Sequence, residues 1–242
     1  MSRIIFQESY IVVVPTFDKT ATHKHPFMHL FFGKDKCTIK TDKDEIKGNI
    51  ILVDSNVRHA VGDNSNCDFF LLIDPTSIIA EGIRDKYIQD NSYQSVLRNS
   101  ENVYKDINEL TDEEIIKFVK DMLFDIGIST ENIHIRDERI EQVISMIISG
   151  EWIDYSVKQI SDVVFLSESR LTHLFKEEVG ISLKSYILIR RMERAYKYVY
   201  AGGKITQAAM ESGFASSAHL AYCCKTLTGI SITDVLKNTK LK

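Results

Sequence analysis

One local pattern occurs twice in the last third of the chain. Residues 167–187 read SESRLTHLFKEEVGISLKSYI, and residues 216–236 read SSAHLAYCCKTLTGISITDVL. Offset by 49 positions, the copies share Ser167/Ser216, Leu171/Leu220, Lys176/Lys225, Gly180/Gly229, Ile181/Ile230 and Ser182/Ser231. Each follows a short helical stretch and a tight turn: Val157, Ile160 and Ser161 before Phe165-Leu166, then Ile205, Ala208 and Ala209 before Gly213-Phe214. Two short helices joined by a tight turn, with small or apolar residues where they cross, make a helix-turn-helix. A tandem pair around the basic stretch Ile189–Val199 confines this part of the chain to an all-helical unit.

The second helix of each copy has two faces. Taking Leu171 as origin, at about 100° per residue, Leu174 and Phe175 fall beside it as a core face. Ser169, Thr172, His173 and Lys176 fall on the opposite side, a polar face without an acid. Such a face fits a major groove and offers groups to base edges. In the second copy the outward set is Ser217, Ala218, Ala221, Tyr222 and Lys225, with Ser216 and His219 beside it. Ala218 and Ala221 offer only methyl groups, so the first helix is expected to carry more of the sequence discrimination. Within Ser182–Lys242, 10 Lys and Arg stand against 3 Asp and Glu, in a chain of net charge −4. A basic end on an acidic chain is a local nucleic-acid footprint. Arg190, Arg191 and Arg194 are the candidate phosphate contacts.

These residues resemble the DNA-binding domain of the AraC/XylS family of bacterial transcription regulators. The stretch IRRMERAYKYV matches the linker helix of that family, and Gly213-Phe214 and the two Gly-Ile-Ser ends match its motifs. Departures are Phe165 where the first turn has glycine, Leu183 and Ile232 where proline is usual, and Cys223-Cys224 in place of a large apolar pair. The resemblance implies a sequence-specific regulator bound to promoter or operator double-stranded DNA, acting in the cytoplasm as a homodimer, with RNA polymerase as a further partner.

The first third has a different rhythm. IIFQESYIVVV, FMHLFFG, KCTIKT, NIILV, HAV and CDFFLLI are β-type runs separated by turn signals, as in a small sandwich or barrel. The barrel segment carries His23, His25 and His29, then a glycine turn at Gly48 and His59, four of the seven histidines. This spacing resembles a cupin barrel, which AraC-type regulators carry as a sensing domain. The resemblance makes His23, His25, His29, Phe31 and His59 candidate contacts for a small-molecule effector. It also makes His23, His25, His29 and His59 candidate ligands of a divalent metal, since imidazole nitrogen suits zinc, iron, nickel or copper.

The expected fold is therefore α+β in two domains: a small cupin-like β-barrel with following helices, then an all-α double helix-turn-helix. Boundaries fall at 1–76 for the sensing domain, 77–128 for a helical extension, 129–136 for a linker and 137–242 for the DNA-binding domain. In the extension, Thr111 and Glu114 form a capping-box signal before the stripe Ile115, Ile116, Val119, Met122, Leu123, Ile126. That stripe must be buried on the barrel or against a second subunit, and the resemblance implies a dimer helix here. Asp137–Ser149 reads as a helix with Ile140, Val143, Ile144, Ile147 and Ile148 inward. No apolar run approaches the roughly 18 residues needed to span a bilayer. The N-terminus lacks a signal-peptide cleavage pattern. The four cysteines fit neither a disulfide framework nor a zinc pattern, which points to reduced cytoplasmic thiols. The rival function is a metal-dependent cupin enzyme with an accessory helical domain. The sequence has no nucleophile motif, phosphate loop or paired carboxylates in the barrel motif, so the expectation is a regulator and not an enzyme.

Overall fold

The computed structural model describes residues 3–15, 20, 22–62, 65–89, 91–97, 106–130, 137–228 and 232. The chain divides into two compact units, with the boundary after Glu131. Residues 131–136 of the expected linker, and the Gly229–Ser231 end of the second repeat, lie outside the described residues.

The N-terminal unit is built on an antiparallel sheet. Its strands are β1 (Arg3–Phe6), β2 (Tyr10–Val14), β3 (Met28–Thr41), β4 (Glu45–Val53), β5 (His59–Val61), β6 (Phe69–Ile73) and β7 (Tyr93–Val96). The order is β1-β2-β6-β3-β4-β7, with β5 paired to β3. Among the described residues the hydrogen-bonded path is open, a cupin-like sheet and not a closed ring. The two runs FMHLFFG and KCTIKT belong to one long strand, β3, whose register with β4 shifts between Phe32 and Cys37. Gly33 makes that irregularity fit, because a Cβ there would lie 2.1 Å from the Asn66 carbonyl oxygen.

Two helices close the core. In α1 (Ile78–Ile83), Ile79, Ala80 and Ile83 are buried, and a single π-helical turn, Arg84–Ile88, follows. In α2 (Asp112–Asp125) the expected capping box forms in both directions: Glu114 N–H donates to Thr111 Oγ1 and Thr111 N–H to the Glu114 carboxylate. The stripe Ile115, Val119, Met122, Leu123 and Ile126 joins the core of Met28, Leu30, Leu52, Leu71 and Ile73, with Ile116 half-buried against it. Of the two expected destinations, the stripe takes the sheet of its own chain. The helical reading of 77–128 overlooked β7, an edge strand on β4 of only four residues, too short to show a period.

The C-terminal unit is helical: α3 (Glu138–Ser149), α4 (Val157–Val163), α5 (Glu168–Val179), α6 (Leu183–Tyr200), α7 (Ile205–Glu211) and α8 (Ser217–Thr228). Side-chain caps start five of them, from Asp137, Ser156, Ser167, Ser182 and Ser216. Ile140, Val143 and Ile147 of α3 point inward as expected, but Ile148 is 60% exposed. It stands about 100° around the helix from Ile147, past the edge of the buried stripe.

Candidate nucleic-acid interface and histidine cluster

The two repeats form the same local structure. In the first, Leu166 N–H donates to Ser161 O at 3.0 Å; in the second, Phe214 N–H donates to Ala209 O at 2.9 Å. Each receiving residue is small and buried, so the paired helices cross closely there. The residue before each donor is left-handed, Phe165 at φ 54° and Gly213 at φ 73°. The next helix starts on a serine in both: Ser167 Oγ accepts Arg170 N–H, and Ser216 Oγ accepts His219 N–H. Thus α4–α5 and α7–α8 are two helix-turn-helix motifs with matched turns.

On α5, Leu171, Leu174 and Phe175 are buried, while Ser169, His173 and Lys176 are exposed. Thr172 is half-buried, and its hydroxyl lies 2.9 Å from Glu168 O and 3.0 Å from Ser169 O. It donates to the backbone, which leaves its oxygen as an acceptor. On α8, His219, Tyr222 and Lys225 are exposed and Ser217 half-buried. Ser216 serves as the cap. His219 Nδ1 accepts Ala215 N–H at 3.4 Å, so a neutral ring carries its proton on Nε2.

The α6 arginines have partners within the unit. Arg190 donates to Glu193 at 2.6 Å, faces the Tyr186 ring and is 13% exposed in its side chain. Glu193, one turn on from Arg190, also pairs with Lys197 at 2.7 Å. Arg191 Nε donates to the Ile153 carbonyl at 2.6 Å. Arg194 lies over Gly150, the left-handed cap of α3; a Cβ there would be 1.7 Å from its Nη1. A cation at a helix C-terminus meets the negative end of the dipole.

The four barrel histidines converge. His23 and His59 exchange backbone hydrogen bonds at 3.0 and 2.9 Å. Ring centroids are 4.6 Å apart for His23–His59, 5.4 Å for His23–His25, and 4.5 Å for both His25–His29 and His29–His59. Ligating nitrogens of His23, His25 and His59 lie within 4.8 Å of one another. His29 stacks on Phe31 at 4.8 Å. His59 Nδ1 donates to the Val57 carbonyl at 2.9 Å, which turns its Nε2 toward the cluster as an acceptor. That Nε2, both ring nitrogens of His25 and Nδ1 of His29 are buried without a hydrogen-bond partner. Burial, and then the charges of the neighbouring rings, hold His25 down to about 3 and His29 well below its ordinary value. Burial likewise lowers His59 to about 4, against the pull of Val57. Those three rings are neutral at pH 7.

Residues 160–238 match a family model described as a helix-turn-helix domain. The chain is 25% identical over 239 residues to the probable transcriptional regulator LumQ of Photobacterium leiognathi, across 91% of this chain and 94% of that protein. The chain is a DNA-binding transcription regulator with an AraC-type helix-turn-helix domain at its C-terminal end. An uncharacterized HTH-type transcriptional regulator of Staphylococcus aureus is 26% identical over 171 residues, 69% of this chain; the match spans 22% of that longer relative. Among solved structures, ToxT from Vibrio cholerae is similar with a TM-score of 0.44 and 15% identity, over 95% of this chain and 98% of that one.

In this regulator the histidine cluster passes the chemical test for a divalent transition metal. It combines neutral nitrogen donors, buried lone pairs that meet no donor, and a backbone carbonyl orienting one ring. The rings are in contact, so the space among them suits an ion better than an organic molecule. Two contributors escaped the sequence reading. The Val57 carbonyl is main chain and has no residue signature. Glu193 was visible, but only the helix phase shows that it neutralises Arg190 and Lys197 together.

Proposed function

We propose that the regulator reads operator DNA chiefly through α5, and that a divalent transition metal held by His23, His25 and His59 adjusts that binding. The buried imidazole nitrogens without partners carry the ligand half of this reading, because polar atoms in a core otherwise find a partner. The effector of the sequence reading is thereby narrowed to an ion, with His29 and Phe31 forming the wall behind it. A bound metal would supply positive charge and fix the ring orientations; it alters DNA affinity only through unequal affinity for the two states of the protein.

On the DNA side, His173 and the Thr172 oxygen are assigned to base edges, with Ser169 and Lys176 on the same face. Tyr222, Lys225 and Ser217 of α8 make the second, less discriminating contact, beside Ser216 and His219 at its start. Phosphate contacts are reassigned from Arg190, Arg191 and Arg194 to the exposed Lys184, since the arginines are engaged inside the unit. A homodimer is proposed through the outer side of α2, where Phe124 is 78% exposed while the helix's own stripe is covered. No described helix is long and apolar enough to cross a membrane. Action on cytoplasmic promoter DNA, with RNA polymerase downstream, belongs to the same proposal.

Selection of bound sites from random DNA tests the reading, followed by His173→Ala. The variant is expected to lose on the order of 1–3 kcal/mol at one base pair and relax the choice there. Equal losses on specific and random DNA would remove His173 from the reading face.

A further inference from the structure

The regulator has a second chemically distinctive pair in its N-terminal unit, away from any role in the functions above. Cys37 lies on β3, fully buried, and Cys67 lies half-buried on the segment leading into β6. That segment is fastened to β3 at both ends. Ser65 Oγ accepts Thr38 N–H at 2.9 Å, and Asp68 N–H donates to Phe32 O at 2.8 Å. The Asp68 carboxylate also accepts Lys34 N–H. Between these ties, Cys37 Sγ lies 3.9 Å from the carbonyl oxygen of Asn66, the residue before Cys67, so that the two thiols influence each other. Ser65 Oγ, which accepts Thr38 N–H, sits 3.1 Å from Cys67 Sγ, within reach to donate its own proton to a thiolate there. Gly33 leaves room for the arrangement, since a Cβ there would approach both Asn66 O and Cys37 Sγ.

We propose that Cys67 and Cys37 are a peroxide-reactive thiol pair, Cys67 attacking the oxidant and Cys37 closing the disulfide. The assignment of roles follows from the surroundings. Cys67 is the more accessible thiol and has the Ser65 hydroxyl beside it, a donor that favours the thiolate, the nucleophilic form. The neighbouring Cys37 thiol lowers Cys67 most, against burial, and Ser65 adds to it; the Cys67 thiol and burial push Cys37 up, so that Cys37 keeps its proton. The thiolate of Cys67 attacks one oxygen of a hydroperoxide, and the O–O bond breaks. This gives a sulfenic acid and an alkoxide or hydroxide that takes a proton from water. Cys37 sulfur then attacks the sulfenic sulfur; the S–O bond breaks, and the hydroxyl leaves with the Cys37 proton as water. Two thiols lose two electrons, and the peroxide gains them. The product staples the segment before β6 to β3.

The test uses the reduced full-length protein with a metal chelator present, so that metal-catalysed oxidation does not contribute. After hydrogen peroxide, alkylation should find two free thiols where there were four. Peptide mapping should find Cys37 linked to Cys67, and dithiothreitol should reverse the link. Cys67→Ser should keep its remaining three thiols, while Cys37→Ser or Cys37→Ala should accumulate a Cys67 sulfenic acid trapped by dimedone. Four thiols still alkylated after peroxide, or a link through Cys223 or Cys224, would overturn the proposal. The wild-type peptide map decides it even if a Cys37 variant does not fold. The result is independent of whether the histidines hold metal.

Discussion

Phe165 and Gly213 occupy the same place in the two helix-turn-helix turns, yet one of them bears a side chain. A non-glycine residue held left-handed costs on the order of 1–3 kcal/mol unless its surroundings compensate. Phe165 is 92% exposed, so packing returns little of that cost. Phe165→Gly is therefore expected to stabilise the C-terminal unit by about 1 kcal/mol, read as a higher urea midpoint with an unchanged m-value. The converse change, Gly213→Ala, should destabilise it, because the backbone strain is joined by a Cβ 3.1 Å from Arg191 Nε. Opposite signs at the two positions are the prediction; the same sign at both would mean that the turns are not equivalent. A second residue-scale consequence concerns the histidines in protein stripped of metal. His25 and His59 titrate at about 3 and about 4 when folded, against 6.5 for an ordinary histidine. As pH falls below about 6.5 the unfolded chain takes up protons that the folded one refuses, so stability falls with it. The loss continues down to the folded values, and between pH 7 and 5 it amounts to about 2 kcal/mol for each ring. An N-terminal unit equally resistant to urea at pH 7 and pH 5 would contradict the burial of these rings.

Among the elements, the helices were the most legible. The Thr111/Glu114 capping box, the α2 stripe and the two helix-turn-helix motifs follow from local chemistry, and each appears where the residues indicated. What could not be read depends on contacts between distant residues. β7 is four residues on a sheet edge, and the junction inside β3 looks like a turn because Gly33-Lys34-Asp35 is turn chemistry. Its continuity comes from Asn66 and Asp68, more than thirty residues away. The resemblance to a cupin barrel made His23, His25, His29 and His59 candidate ligands of one metal, but their missing partners and the Val57 contact required the fold. The α6 arginines show the same limit. From sequence they are a basic patch, whereas in the fold Arg191 joins α6 to the turn after α3 through a bond to a carbonyl. A hydrogen bond to a charged group contributes about 1.5–3 kcal/mol. Arg191→Ala should lower the stability of the C-terminal unit by that order while leaving the salt dependence of DNA binding unchanged. Lys184→Ala should do the reverse, with wild-type stability and a salt slope reduced by about one unit.

At the scale of the whole molecule, the testable quantity is the coupling between the histidine cluster and DNA. If metal and operator favour the same state of the protein, each raises the affinity for the other by one common factor, as linkage requires. A tenfold effect corresponds to about 1.4 kcal/mol of difference in metal affinity between the DNA-competent and incompetent states. The prediction is thus a pair of numbers that must agree. The first is the ratio of operator affinities with zinc and with chelator, measured on protein purified without a histidine tag. The second is the ratio of zinc affinities with and without saturating operator. A His25→Ala/His59→Ala variant should bring both ratios to one, since it removes two of the three close ligands and leaves α5 untouched. Arg191 and the reading-face residues are unaltered in that variant, so its residual DNA binding should keep the wild-type salt slope. If instead zinc binds near-stoichiometrically and both ratios already equal one in the wild type, the cluster holds its metal for stability alone. The signal that controls this regulator would then have to enter elsewhere.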